Sequence, residues 1–206
     1  MAITETKTKY GQVHGVQKDG YTVFRGVPYA KPPVGKKRFC PPEEPECWEG
    51  VYKADHFGCV CPQTEHEPDS FYGKEFYLDP EFGMKQSEDC LYLNIWTPAN
   101  TVDEKLPVAF WIHGGAFMHG FSHESEFDGA AYCERGVILV TINYRLGAFG
   151  FLAHPWLSEE SGVGRSGNYA ILDQIAALKW VKENIAAFGG DPENITVFGQ
   201  SAGCMS

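Results

Sequence analysis

Ile195-Thr196-Val197-Phe198-Gly199-Gln200-Ser201-Ala202-Gly203-Cys204-Met205 decides how this chain folds. The first four residues are apolar or β-branched, as a buried strand requires, and the next five carry the G-x-S-x-G pattern of a nucleophile elbow. Such an elbow needs a strand, a sharp turn that exposes a serine hydroxyl, and a helix whose first amide supports an anion. The strand and the turn are written out, while the sequence stops at Ser206 and the helix is expected to be missing. In hydrolases of this pattern the acid and the histidine come after the serine. The stretch therefore names a chemistry without supplying its partners.

Upstream of the elbow, Ile171, Leu172, Ile175, Leu178, Trp180, Val181 and Ile185 recur mostly at spacings of three and four. This predicts a helix over 168–188 with those residues inward and Asp173, Lys179, Lys182 and Glu183 on the opposite face. Gly189-Gly190-Asp191-Pro192 stops it. Leu91–Trp96, Val108–Ile112, Val137–Asn143 and Ile195–Phe198 are short apolar runs that read as strands buried on both faces. Strand, crossover helix and strand make a right-handed βαβ unit, which places Ser201 at the C-terminal edge of a parallel sheet. From Tyr10 to Arg25, loose alternation broken by Gly15 and Gly20 predicts short antiparallel strands. The expected class is α/β, a mostly parallel sheet with small antiparallel N-terminal strands.

A second segment frames the same chemistry. Trp111-Ile112-His113-Gly114-Gly115-Ala116-Phe117 puts small residues directly after a buried strand, where backbone amides approach a ligand closely. Amides already aimed at a tetrahedral oxyanion contribute about 3 kcal/mol each in the transition state. Two stretches read as irregular: the proline-rich 28–45, and 61–90. The second carries Phe71, Tyr72, Phe76, Tyr77 and Phe82, and is read equally as a pocket wall or an ordinary packed loop.

With 206 residues, 43% of them hydrophobic, the chain suffices for one sizeable core. A net charge of -10 disfavours nucleic acid or an anionic membrane as partner, and the short cluster Lys36-Lys37-Arg38 reads as a solvated turn. No run of 18 apolar residues predicts a membrane helix, and the polar N-terminus has no signal-peptide core, so a cytoplasmic location is expected. Seven scattered cysteines without paired C-x-x-C spacing predict free thiols and no metal site. No cofactor is expected.

Several long motifs resemble the type-B carboxylesterases: Phe24-Arg25-Gly26-Val27-Pro28-Tyr29-Ala30-Lys31-Pro32-Pro33, Glu88-Asp89-Cys90-Leu91-Tyr92-Leu93-Asn94-Ile95, His113–Phe117, Asn143-Tyr144-Arg145-Leu146-Gly147 and Phe188–Gly199. Their order also resembles that family, in particular its bacterial para-nitrobenzyl esterases. The resemblance implies an α/β-hydrolase fold, with residues 1–206 as the N-terminal part of one such domain. It implies Ser201 as nucleophile, and the amides of Gly115, Ala116 and Ala202 as the oxyanion hole. The acid and histidine would lie in a C-terminal part beyond residue 206, since His14, His56, His66, His113, His119, His123 and His154 all precede the serine. His113 would shape the oxyanion loop; apart from the resemblance, His66, His119 and His123 are expected on the surface, where such residues usually lie.

By the same resemblance Arg38 and Glu88 would form an internal ion pair. Cys61 and Cys90 would be the ends of a loop that a disulfide closes in secreted members, here expected as thiols. Asn194-Ile195-Thr196 matches a glycosylation acceptor but reads as the lead-in to the nucleophile strand. Where the family usually has glutamate before the serine, this chain has Gln200, and residues 61–90 hold no tryptophan to stack on a quaternary ammonium. The expected substrate is a neutral, moderately apolar small-molecule ester, with Phe117 and Gln200 beside it. The other reading is a non-catalytic remnant or interaction module of the same fold.

Overall fold

The computed structural model describes residues 2–65, 67, 69–76 and 84–206, apart from the side chains of Tyr72, Glu75 and Phe76. The aromatic wall expected from Tyr72, Phe76, Tyr77 and Phe82, and the surface position expected for His66, therefore fall outside the described residues. Strands β1 (Glu5–Thr8) and β2 (Gly11–Gln17) form a hairpin, and β3 (Thr22–Pro28) pairs antiparallel to β2. Gly20, at φ 79°, takes the left-handed turn position between β2 and β3 that glycine adopts without steric cost. Strand β4 (Val51–Ala54), which sequence reasoning did not find, runs parallel to β2. A short helix α1 (Phe71–Phe76) follows.

The centre of the sheet is built from β5 (Tyr92–Thr97), β6 (Leu106–Ile112) and, after the one-turn α2 (Ala130–Cys133), β7 (Ile138–Ile142). Two short helices, α3 (Gly147–Phe151) and α4 (Pro155–Glu160), lead to the long α5 (Tyr169–Asn184), then β8 (Gly190–Gly199) and α6 (Ala202–Met205). Strand order is β1-β2-β3-β5-β7-β6-β8, with β4 beside β2. The sheet is mixed: β7, β6 and β8 are mutually parallel, whereas β5 runs antiparallel to both β3 and β7.

Period-two alternation along these strands splits the core between the two faces of the sheet. Val108, Phe110, Ile112, Ile138, Val140, Ile142, Leu93 and Ile95 face one side with Trp180 and Val181 of α5. Ala109, Trp111, Leu139, Trp96 and Val23 face the other. Each large apolar side chain buried this way contributes about 1.5–3 kcal/mol. Strand β8 departs from the expectation of burial on both faces, because it is the edge of the sheet and Val197 is 48% exposed.

Helix α5 lies where the spacing places it, and Trp180, Val181 and Ile185 are buried as expected, but the rest of its inward face differs. Asp173, read as outward, is fully buried, while Ile175 and Leu172 are exposed. The buried stripe includes Tyr169, Ala170, Asp173, Ala177, Trp180, Val181 and Asn184. Small alanines, Ala170 and Ala177, let the helix approach the sheet, so the face that packs is theirs and not that of the larger Leu172 and Ile175. Asp173 accepts from Arg145 Nε at 2.8 Å, Nη2 at 2.7 Å and its backbone N–H at 3.1 Å. Burial pushes the Asp173 carboxyl upward, and the guanidinium opposes that shift.

The helix ends in a 3₁₀ turn over Ile185–Phe188, and Gly189 caps it at φ 82°. Its C-terminal end is stitched to the first hairpin. The Thr6 hydroxyl donates to the Ala187 carbonyl at 2.6 Å and the Lys9 N–H to Asn184 Oδ1 at 2.7 Å, while Lys9 Nζ lies 3.0 Å from Glu183. Among the described residues, no helix is long and apolar enough to cross a membrane.

Candidate active site

Parallel pairing of Ile112 with Gly199 brings the ends of β6 and β8 together, so the loops that follow them emerge side by side. In the turn after β8, Ser201 sits exposed at φ 53°, ψ −120°, in the N-cap position of α6 but with no side-chain hydrogen bond to that helix. A non-glycine residue held there stores about 1–3 kcal/mol of backbone strain, which only its surroundings can maintain. The two glycines of the motif supply the room. A Cβ on Gly199 would lie 2.6 Å from the Gly203 carbonyl carbon and 2.7 Å from the Ile112 oxygen, and one on Gly203 would run into that same Ile112 oxygen. The turn is closed by Gly203 N–H donating to the Gln200 carbonyl at 2.9 Å and Cys204 N–H to the Ser201 carbonyl at 3.0 Å. Helix α6 supplies one turn after the serine, where the sequence reading expected none.

The loop after β6 meets this turn at Gly114, whose Cα faces the Gln200 side chain and carbonyl; a Cβ there would lie 3.2 Å from Ser201 Cβ. Gly115, Ala116 and Phe117 then adopt successive positive φ values of 99°, 54° and 61°. That run bends the chain sharply and holds the non-glycine residues Ala116 and Phe117 in a region of backbone space they rarely occupy. Met118 and His119 N–H groups both donate to the Gly115 carbonyl at 2.9 Å, and Gly147 N–H to the Phe117 carbonyl at 2.7 Å. Half-buried Phe117 packs edge-on against Phe151 at 5.0 Å. Among the described residues, the amides of Gly115, Ala116 and Ala202 have no protein acceptor, and the Ser201 hydroxyl has no partner. Gln200 is exposed beside them.

Beneath the loop lies a buried polar layer that sequence reasoning only partly found. The His113 ring stacks on Tyr144 at 4.3 Å, its Nδ1 lies 2.8 Å from the Gly114 carbonyl, and Tyr144 OH donates to the His113 carbonyl at 2.8 Å. Burial holds the imidazole neutral, with its pKa lowered to about 4. Gly120, at φ 100°, is pressed against that ring, and its backbone is clamped by Gln63: Oε1 accepts from Gly120 N–H at 2.8 Å and Nε2 donates to its carbonyl at 3.1 Å. Glu124 accepts from Phe121 N–H at 3.2 Å, and burial raises its pKa to about 7. No short motif marks Gln63 or Glu124, because both act through burial that only the fold creates.

His123, expected on the surface, is 2% exposed and stacks on Phe57 at 4.4 Å. The segment Phe121–Glu124 runs through the interior and takes its histidine with it. His119 is half-buried.

Of the outlying residues, Arg38 and Glu88 form a bidentate pair at 2.5 and 2.6 Å, but on the surface rather than internally, their side chains 43% and 25% exposed. Solvent therefore screens it. Cys61 and Cys90 are free and buried; the Cys90 thiol donates to Cys61, lowering the Cys61 pKa and raising its own, and Leu146 N–H reaches Cys61 Sγ at 3.2 Å. Phe71 is exposed on α1.

A mixed sheet with a strained serine turn after a parallel strand, and a glycine loop after its neighbour, defines the N-terminal part of an α/β-hydrolase fold. A profile of the carboxylesterase family matches residues 3–206, and the chain belongs to that family. It is 50% identical to the para-nitrobenzyl esterase of Bacillus subtilis (strain 168) over 97% of this chain and 38% of that protein. It is 46% identical to the fumonisin B1 esterase of Sphingopyxis macrogoltabida, again over 97% of this chain and 35% of that one. Among solved structures, a PNB esterase superposes with a TM-score of 0.85 at 48% identity, covering 97% of this chain and 39% of the other. A Geobacillus stearothermophilus carboxylesterase gives 0.83 at 49% identity, covering 97% and 38%. The chain thus spans less than two fifths of the length of these relatives.

Proposed function

We propose that this chain is the nucleophile-bearing part of a serine carboxylic ester hydrolase, and that residues 1–206 belong to a single hydrolase domain completed by further polypeptide, in the same or a second chain. The observation that carries this reading is Ser201 itself: exposed, at φ 53° and ψ −120°, against the Gly114 Cα. Its Oγ attacks the ester carbonyl, and the amides of Gly115, Ala116 and Ala202 receive the negative charge that develops on oxygen. Collapse expels the alcohol and leaves an acyl group on Ser201, which water then removes. Both steps need a base, and a base with the acid that orients it comes from the completing part. His113 does not serve, being buried, neutral and engaged by Tyr144 and Gly114. Gln200 leaves no carboxylate beside the serine, which supports neutral, moderately apolar esters as substrates.

Treating the completed enzyme with a fluorophosphonate, followed by intact mass and peptide mapping, tests this assignment. One equivalent is expected on Ser201, and Ser201→Ala is expected to lower kcat/KM for a para-nitrophenyl ester by about 10⁴-fold or more. Labelling at another residue, or turnover at the parent rate in the variant, rules it out.

A further inference from the structure

A cavity of about 610 Å³ opens between the Lys36–Pro41 turn and the connection from α4 to α5. Its size falls in the range of small-molecule pockets. Phe39, Leu157, Tyr169 and Leu172 supply apolar wall, and Val163, 66% exposed, stands at its edge. Lys36, Arg38 and Arg165 contribute positive charge, against Glu160 in the same wall. Arg38 is already bound to Glu88, whereas Lys36 and Arg165 have no carboxylate within ion-pair distance among the described residues. The 16-residue α5 also starts here, with Asn168 and Tyr169 in the wall; the Asn168 side chain does not cap it, so the positive end of the helix dipole adds to the two free cations. In a chain of net charge -10, this is a basic, partly apolar hollow.

We propose that this cavity binds an amphiphilic carboxylate: an organic monoanion whose charged end sits between Lys36 and Arg165 and whose short apolar body lies against Phe39, Leu157 and Tyr169. The site is separate from Ser201 and does not depend on the assignment of that residue.

Titration calorimetry of the intact protein with octanoate, with octanol and sulfate as comparison probes, tests it. Saturable octanoate binding is expected at about millimolar concentration or better. Arg165→Gln and Lys36→Gln, both at exposed positions, are each expected to weaken it about fivefold, the scale of a solvent-screened ion pair. Val163→Asp, also exposed and so without consequence for folding, is expected to weaken it further, and Ser201→Ala to leave it unchanged. Octanol binding as tightly as octanoate would show that charge is not read, and sulfate displacing octanoate at equal concentration would show that the apolar wall is not. Either result overturns the proposal, as does the absence of saturable octanoate binding or an affinity that all three cavity variants leave intact.

Discussion

Gln200 and Glu124 test the site from opposite directions, one beside the serine and one beneath the neighbouring loop. Replacing Gln200 by Glu restores a carboxylate next to the reacting centre, and is expected to raise kcat/KM for a cationic ester about fivefold relative to a neutral ester of equal size. Equal effects on the two esters would remove Gln200 as a determinant of substrate charge. Glu124 and His113 make opposite contributions to stability. The Glu124 carboxyl titrates near 4.5 when unfolded and about 7 when folded, so between those values the fold holds a proton that the unfolded chain has lost, and stability falls as pH rises. His113 titrates near 6.5 unfolded and about 4 folded, so across that range the unfolded chain binds the extra proton and stability rises with pH. Each contributes at most about 3 kcal/mol, and the two nearly cancel between pH 4.5 and 6.5. Glu124→Gln removes one side of this balance: its stability relative to the parent, from urea midpoints, is expected to climb by up to about 3 kcal/mol from pH 4.5 to 7. A difference that stays constant over that range would place the Glu124 titration elsewhere.

At the scale of the element, α5 couples the sheet to the segment that leads into the short helices. Removing the Asp173 carboxylate leaves the Arg145 guanidinium buried and unpaired, so Asp173→Ala is expected to destabilise the chain by about 3–5 kcal/mol in urea unfolding. A loss below about 1 kcal/mol would mean that water reaches the arginine. Helix α5 also shows what could be read in advance. Its existence and stop signal were legible because a 3.6-residue period and a Gly-Gly pair are local properties of the chain. Its inward face was legible only in part: Trp180, Val181 and Ile185 follow the spacing, but the burial of Asp173 is settled by a charge partner 28 residues away and the rest by alanines whose value is closeness rather than bulk. The same division holds at the site. The G-x-S-x-G turn and the Gly114-Gly115 loop were legible, since glycines mark where backbones must touch. The Gln63 clamp on Gly120, 57 residues apart, and the interior course of His123 depend on tertiary neighbours that no spacing encodes. Strand β4, whose outward residues Val51 and Lys53 are exposed, carries too weak an apolar signal to be found alone.

At the scale of the molecule, β8 presents an unpaired outer edge among the described residues, with Val197 48% exposed along it. An edge of this kind pairs with another chain unless charge or a covering element prevents it. The 206-residue chain is therefore expected to self-associate in sedimentation velocity runs, and Val197→Lys to weaken that association by about fivefold or more. A clean monomer with a sharp cooperative melt would show that the edge is protected. The hydrogen bonds from Thr6 to Ala187 and from Lys9 to Asn184, 181 and 175 residues apart, reach across nearly the same length of sequence. Contacts so distant along the chain are slow to form, since a large loop must close before they stabilise anything. On the ribosome the first hairpin can therefore pair with β3 and β4 early, while its tie to α5 waits until the end of that helix has cleared the exit tunnel. Synthesis time, rather than the strength of the strands, sets when the tie between that hairpin and α5 forms.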